Sequence, residues 1–208
     1  MTIGIGFSIK ANMGVSPVST IPYTVTLITG LEMGKATILF HIVLILFQIV
    51  LLRKDFKMKN LAQIIVAILF GYFTTFSNYM VSFLPTPESY AIRLMLLLAS
   101  IVFVAIGIFF YLPPDVVPLA GEGAMQAICQ KTGAAFPKVK VAFDITMVLI
   151  SGAVCMIFLG KLGSVGVGTV IAAVFTGIMI GFIMKLFKEK LDSFLTDTPK
   201  TIALENEV

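Results

Sequence analysis

Apolar residues in this chain come in long, nearly unbroken runs, such as 38–52 and 94–110, without the polar–apolar alternation of a half-buried strand. The apolar segments fall at roughly 1–12, 36–52, 61–84, 91–112, 139–159 and 167–187. A membrane-spanning helix needs about 20 residues, and five of the six segments approach or reach that length. Two shorter stretches, 16–31 and 116–133, are less apolar and richer in Gly, Pro, Ser and Thr. Beyond residue 192 the chain turns polar.

Composition agrees with this pattern. Of the 208 residues, 58% are hydrophobic and 12% charged, and the mean hydropathy is +1.03. Soluble domains carry roughly 45–50% apolar and about 25% charged residues. In lipid every backbone polar group must be satisfied within the protein, which leaves helices or a closed barrel. The absence of alternation favours helices, so the chain is expected to be an all-α integral membrane protein. The net charge of +4 does not point to nucleic acid, because the lysines crowd the ends of apolar segments, as topology signals do.

The segments repeat. Thr29-Gly30 precedes His41 by the spacing that separates Thr132-Gly133 from Asp144, an offset of 103 positions, and the same offset relates Gly4 to Gly107, Asn12 to Asp115 and Ser19 to Glu122. NLAQIIVAILFG (60–71) matches GVGTVIAAVFTG (166–177) at an offset of 106. The order of these matches predicts an internal duplication, with a first repeat at 1–85, a second at 90–190 and a polar C-terminal tail at 192–208. On this reading the first helix is shorter than its counterpart near Tyr90. Either it is incomplete at the N-terminus or it is a short helix tucked against its neighbours.

Charge then sets the topology. If 16–31 and 116–133 are re-entrant, the side holding the 53–60 loop collects Arg53, Lys54, Lys57, Lys59, Lys131, Lys138, Lys140, Lys185, Lys188, Lys190 and Lys200. The other side keeps Lys10, Lys35, Arg93 and Lys161. Full crossing by both stretches would break this positive-inside bias. The expected fold is therefore six transmembrane helices in two inverted three-helix repeats, each with a re-entrant broken helix, and with both termini cytoplasmic.

In NMGVSPVSTIPYT (12–24), Gly14 and Pro17 interrupt the helix, Ser16 suits the N-cap, and Ser19 and Thr20 lie in the first turn. Pro118 is expected to play the similar part in the second stretch, where Gly121 and Gly123 flank Glu122 and permit close approach by a neighbour or ligand. Glu122 has two open readings. It either caps a helix at the cytoplasmic rim, bonded to backbone N–H groups or to Lys138, or it binds a cationic group or a proton inside the membrane, where ionisable groups are costly and mark pathways. His41 is either an interior hydrogen-bonding residue or a proton-sensitive group. Asp144 either pairs with Lys140 one turn earlier or serves as a charged ligand. Gln48, Gln63, Asn78 and Thr74-Thr75 read as interhelical hydrogen-bonders. Cys129 and Cys155 read as small buried residues with no disulfide framework or metal site. GSVGVG (163–168) lacks the Lys-Ser/Thr ending of a phosphate loop.

KANMGVSPVSTIPY (10–23), LLRKDFK (51–57), PLAGEGAMQAICQKTG (118–133) and KVKVAFD (138–144) resemble the YczE/YyaS/YitT-like family of bacterial membrane proteins. The resemblance covers nearly the whole chain, and GEG and KVKVAFD are its most specific parts. The family typically has a longer first helix. Its relatives often carry Trp-Asp after the first Ser-Pro, where Val18-Ser19 stand here, so any role of that acid does not carry over. The resemblance implies the fold and a bacterial inner-membrane location.

The expected function is secondary transport of a small polar solute, with proton coupling as an option, by a protein that is not an enzyme and needs no cofactor. Its expected substrate-binding residues are Glu122, Asp144, His41, Ser16, Ser19, Thr20, Gly121 and Gly123, and its expected partners are the lipid bilayer and the solute. Gly and Ala faces on 167–187 suit close packing within one chain or in a homodimer. The alternatives are a substrate-capture subunit for an ATP-driven partner and a non-transporting accessory factor. Cysteines placed at Thr132 and Lys161 should label from opposite sides of the membrane; labelling from one side would sink the topology.

Overall fold

In the computed structural model, residues 1–111 and 117–196 are described, with side chains for all of these except 111, 137, 181, 184 and 188–196. Asp115 and the tail beyond Thr196 lie outside the described residues. Every regular element described is helical: α1 (Thr2–Ala11), α2 (Pro17–Thr29), α3 (Met33–Leu52), α4 (Gln63–Ser82), α5 (Tyr90–Tyr111), α6 (Ala120–Thr132), α7 (Phe136–Leu159) and α8 (Val167–Thr196), with two 3-10 turns at Arg53–Asp55 and Met58–Ala62. The last helix continues past residue 192, where the tail was expected to begin.

Among the described residues, five helices are long and apolar enough to cross a membrane, at Met33–Asp55, Met58–Ser82, Tyr90–Phe110, Lys138–Leu159 and Val167–Phe187. Their outer faces carry exposed Tyr72, Phe73, Phe76, Val170, Val174 and Ile178, an apolar surface suited to lipid rather than water. The protein is a multi-pass membrane protein. With 10 residues, α1 is only about 15 Å long and is not among the five.

The two short helices have matching ends. Both α2 and α6 have 13 residues and stop at a left-handed glycine, Gly30 at φ 74° and Gly133 at φ 70°, where a Cβ would be strained. Thr29 Oγ1 donates to the Val25 carbonyl at 2.7 Å and accepts from Leu31 N–H at 3.2 Å. Thr132 does the same with Ile128 at 2.8 Å and Ala134 at 3.2 Å. At their starts, Ser16 is the N-cap of α2 and Leu119 that of α6. Pro118 therefore lies just outside α6 instead of in its first turn.

Packing fixes the directions. Thr20 Oγ1 lies 3.3 Å from the Met147 carbonyl and Thr24 Oγ1 lies 3.4 Å from Cys155 Sγ, so α2 runs parallel to α7. Gln48 meets the Ala120 carbonyl at 3.2 Å and Asp55 meets Lys131 at 2.8 Å, so α6 runs parallel to α3. Further, α1 packs on α4 and α5, and α5 on α8. The Lys131–Asp55 bridge joins the end of α6 to the 53–60 turn, and these define a basic end. At the far end Lys10 Nζ donates to the Ser82 carbonyl at 3.5 Å.

Two corresponding seams differ. α3 and α4 pack along their length, with Gly34 and Gly71 so close that a Cβ on either would run into backbone of the other. α7 and α8 share no comparable packed interface among the described residues, and a Cβ on Gly177 would meet nothing. Gly34→Ala should therefore cost about 1–3 kcal/mol through overpacking, measured by thermal or denaturant unfolding in micelles. Gly177→Ala should be neutral or stabilising by up to about 1 kcal/mol from helix propensity.

Candidate functional site

All eight helices contribute to a cavity of about 280 Å³. Much of its wall is apolar, with Ile5, Phe40, Phe70, Val104, Met125 and Phe136 among the lining residues. Polar side chains come from five helices: Ser16 and Ser19 from the start of α2, Thr37 and His41 from α3, Glu122 from the start of α6, Lys140 and Asp144 from α7, and Thr176 from α8.

The placement follows from helix register. His41 and Asp144 each lie eight residues beyond the first residue of their helices, about 12 Å along the axis. The three-residue turn between α2 and α3 makes these two antiparallel, and α2 is parallel to α7. The imidazole and the carboxylate thus enter from opposite ends and meet the same cavity. Ser16 Oγ donates to Ser19 Oγ at 3.0 Å and Ser19 N–H donates to the Ser16 carbonyl at 2.9 Å, so the first turn of α2 largely satisfies itself.

Glu122 occupies the first turn of α6. Among the described residues no cationic side chain, Lys138 included, lies at salt-bridge distance from its carboxylate, and Lys140 and Asp144 line the same cavity. Lys140 Nζ contacts Asp144 Oδ2 at 2.9 Å, as the one-turn spacing allows. Asp144 Oδ1 and His41 Nδ1 are buried without a hydrogen-bond partner, and His41 as a whole is 4% exposed. Its ring lies 5.6 Å from that of Phe70 and 6.2 Å from that of Phe40.

Six of the eight expected binding residues, Ser16, Ser19, His41, Gly121, Glu122 and Asp144, line the cavity. Thr20 and Gly123 do not. Thr20 is fully buried; its Oγ1 bonds the Pro17 carbonyl of its own helix at 2.6 Å and lies 3.3 Å from the Met147 carbonyl, which ties α2 to α7. Gly123 lies against the amides of Gln48 and Gln63, where a larger side chain would not fit. Lys140 is a cavity residue that the sequence reading treated only as a partner for Asp144, although its one-turn spacing from Asp144 placed the two on one face.

A second polar cluster closes the α3–α4–α6 junction. The buried amides of Gln48 and Gln63 exchange hydrogen bonds at 3.0 and 3.2 Å, and Gln48 also donates to the Ala120 carbonyl. Thr74, expected to bond between helices, instead bonds the Phe70 carbonyl of its own helix at 2.7 Å.

A family model described as "Family of unknown function (DUF6198)" matches residues 1–185. The chain belongs to this family. It is also 22% identical over 183 residues to "Uncharacterized membrane protein YczE" of Bacillus subtilis (strain 168), covering 88% of this chain and 79% of the relative. The YczE-like resemblance of the sequence is thereby upheld. No solved structure matches.

Gln48→Leu should cost about 1–3 kcal/mol, because it leaves the Gln63 amide buried and unpaired. The double variant Gln48→Leu/Gln63→Leu should recover a large part of that loss, and a double-mutant cycle of unfolding free energies measures the coupling.

Proposed function

We propose that this protein is a secondary transporter of a small polar solute in a bacterial inner membrane, with the cavity as its solute site. One observation carries this reading: the starts of two half-length helices meet a single cavity that also holds Glu122, Lys140, Asp144 and His41. Broken helices ending at the middle of the bilayer, between inverted repeats, are a recurring plan for such transporters. The plan is an analogy of architecture, and the charged cavity gives it chemical content.

Several features support two inverted repeats with re-entrant α2 and α6. Their lengths and capping bonds match at the offset of 103. The pairing of α2 with α7 mirrors that of α6 with α3, and the pairing of α1 with α4 mirrors that of α5 with α8. The basic end, with Arg53, Lys54, Lys57, Lys59, Lys131 and Lys138, is the cytoplasmic side by the positive-inside bias. In this reading the protein performs no covalent chemistry, needs no cofactor, and has the bilayer and the solute as its partners. The exposed apolar face of α8 is available to lipid or to a second copy.

The unequal seams give the proposal a mechanism. The packed α3–α4 seam and the open α7–α8 seam form one state of an alternating cycle. Closing the open seam brings Val141 toward Gly177, as Ile38 lies against Gly71 at the corresponding positions.

A thermal-shift screen of purified protein against small metabolites should find a ligand whose stabilisation grows with concentration. That ligand should then be taken up by proteoliposomes holding this protein alone. Uptake only with added ATPase subunits would make the chain a capture subunit, and no ligand at all would favour the accessory factor. Gly177→Leu, which fills open space where the α7–α8 seam meets the cavity wall, should leave the fold intact and reduce uptake at least ~10-fold, an expected loss of about 1.4 kcal/mol or more. Undiminished uptake would remove the α7–α8 seam from the mechanism.

A further inference from the structure

We infer that the cavity takes a protonated amine with an apolar body, and that Glu122 is its counter-ion. The inference rests on the transport reading only in taking this cavity as the solute's site; binding itself does not require transport.

Charge balance comes first. Lys140 and Asp144 neutralise each other across 2.9 Å, which leaves the Glu122 carboxylate as the surplus among the charged side chains lining the cavity. It lines the cavity, and no ammonium or guanidinium lies within ion-pair distance of it among the described residues. A buried or half-buried carboxylate of this kind is stabilised by a cation that brings N–H donors.

Hydrogen-bonding capacity points the same way. Two further residues of the cavity wall hold buried atoms without a hydrogen-bond partner, Asp144 Oδ1, an acceptor, and His41 Nδ1, which accepts in one tautomer of the ring. Pro22 sits inside α2 and has no N–H, so the Val18 carbonyl one turn earlier loses its helical donor. Val18 and Pro22 both line the cavity. Lys140, the cationic side chain lining the cavity, is already engaged with Asp144. An ammonium group offers three donors and no acceptor.

An anion is served less fully by the same geometry, with Val18 and Gly121 as the lining residues whose first-turn N–H groups could reach it. Helix starts favour anions through free N–H groups. In α2, however, Pro17 has no N–H and the Ser19 N–H bonds the Ser16 carbonyl. In α6 the Gly123 N–H bonds the Leu119 carbonyl at 2.9 Å. The rest of the ligand meets Phe40, Phe70, Phe136, Ile5 and Val104, which suits an apolar body and adds ring faces that attract a cation. At about 280 Å³ the site lies at the small end of the roughly 300–1,000 Å³ usual for ligand pockets.

The test compares three probes of one shape on purified, detergent-solubilised full-length protein: benzylammonium, benzoate and benzyl alcohol, by thermal shift and calorimetry. Benzylammonium should stabilise the protein in a concentration-dependent way, and the other two should not. Glu122→Gln should weaken benzylammonium binding by about 10- to 100-fold, the usual worth of a hydrogen bond to a charged group. Glu32→Gln, at an exposed carboxylate on the far end, should leave it unchanged. Should Glu122→Gln fail to fold, Glu122→Asp keeps the charge and should retain the preference for the ammonium with weaker affinity. Stabilisation by benzoate alone, by all three probes alike or by none overturns the inference, as does full-strength binding in Glu122→Gln. Amine binding without uptake in proteoliposomes would sink the transport reading and leave this one standing; uptake of an anion would do the reverse.

Discussion

A helix interrupted inside an apolar environment leaves backbone N–H and C=O groups that no solvent can satisfy, and each such group costs several kcal/mol. In the proposed topology the break between α1 and α2 faces this constraint. Asn12 turns into the left-handed region at φ 51° and Gly14 follows at φ 96°. The orphaned groups are met by the loop before α8: Val15 N–H donates to the Ser164 carbonyl at 3.2 Å, and Gly168 N–H donates to the Met13 carbonyl at 2.7 Å. Gly14 and Gly166 let the two backbones approach, since a Cβ on either would strike the other segment. Ser164, fully buried, then bonds Thr24 at 2.6 Å. The start of α2, and with it Ser16 and Ser19, is held by this mutual completion of two irregular segments.

The same economy explains where polar residues are tolerated. Gln48 and Gln63 satisfy each other and reach the start of α6, so a polar pair becomes a clamp on the helix that carries Glu122. The hydroxyls of Thr29 and Thr132 bind carbonyls of their own helices and the amides that follow the caps. Charge is handled differently. Lys140 and Asp144 cancel at close range, whereas Glu122 stands in the first turn of α6, at the positive end of that helix's dipole.

Much of this was legible in the sequence because the signals are local. Thr29-Gly30 and Thr132-Gly133 announce two helix ends, and the offset of 103 that joins them also aligns the starts of α2 and α6. Ser16, Ser19, His41, Gly121, Glu122 and Asp144 were picked out because polar groups and paired glycines are conspicuous in apolar surroundings. The sequence was less informative wherever three-dimensional packing decides. Thr20 has the same hydroxyl as a ligand residue, yet its helix face points to α7. Gly123 differs from Gly121 only in which side of α6 it occupies, and that places it on the glutamine pair. The open α7–α8 seam was also hidden: Gly177 and Gly71 occupy matching positions in similar segments, and only the arrangement of the helices leaves one filled and the other vacant.

Glu122 has a consequence that concerns voltage instead of binding. In the proposed orientation α6 begins near the middle of the bilayer, so its first-turn carboxylate lies about halfway across the electric field of an energised membrane. A unit charge crossing the whole field exchanges about 2.3 kcal/mol per 100 mV, so one that stops halfway exchanges about half of that. The neutral Gln48–Gln63 clamp and the self-cancelling Lys140–Asp144 pair carry no net charge for the field to act on. On that orientation the membrane potential would act on the charged side chains of the cavity chiefly through Glu122, and a cation bound to this carboxylate would cancel the effect.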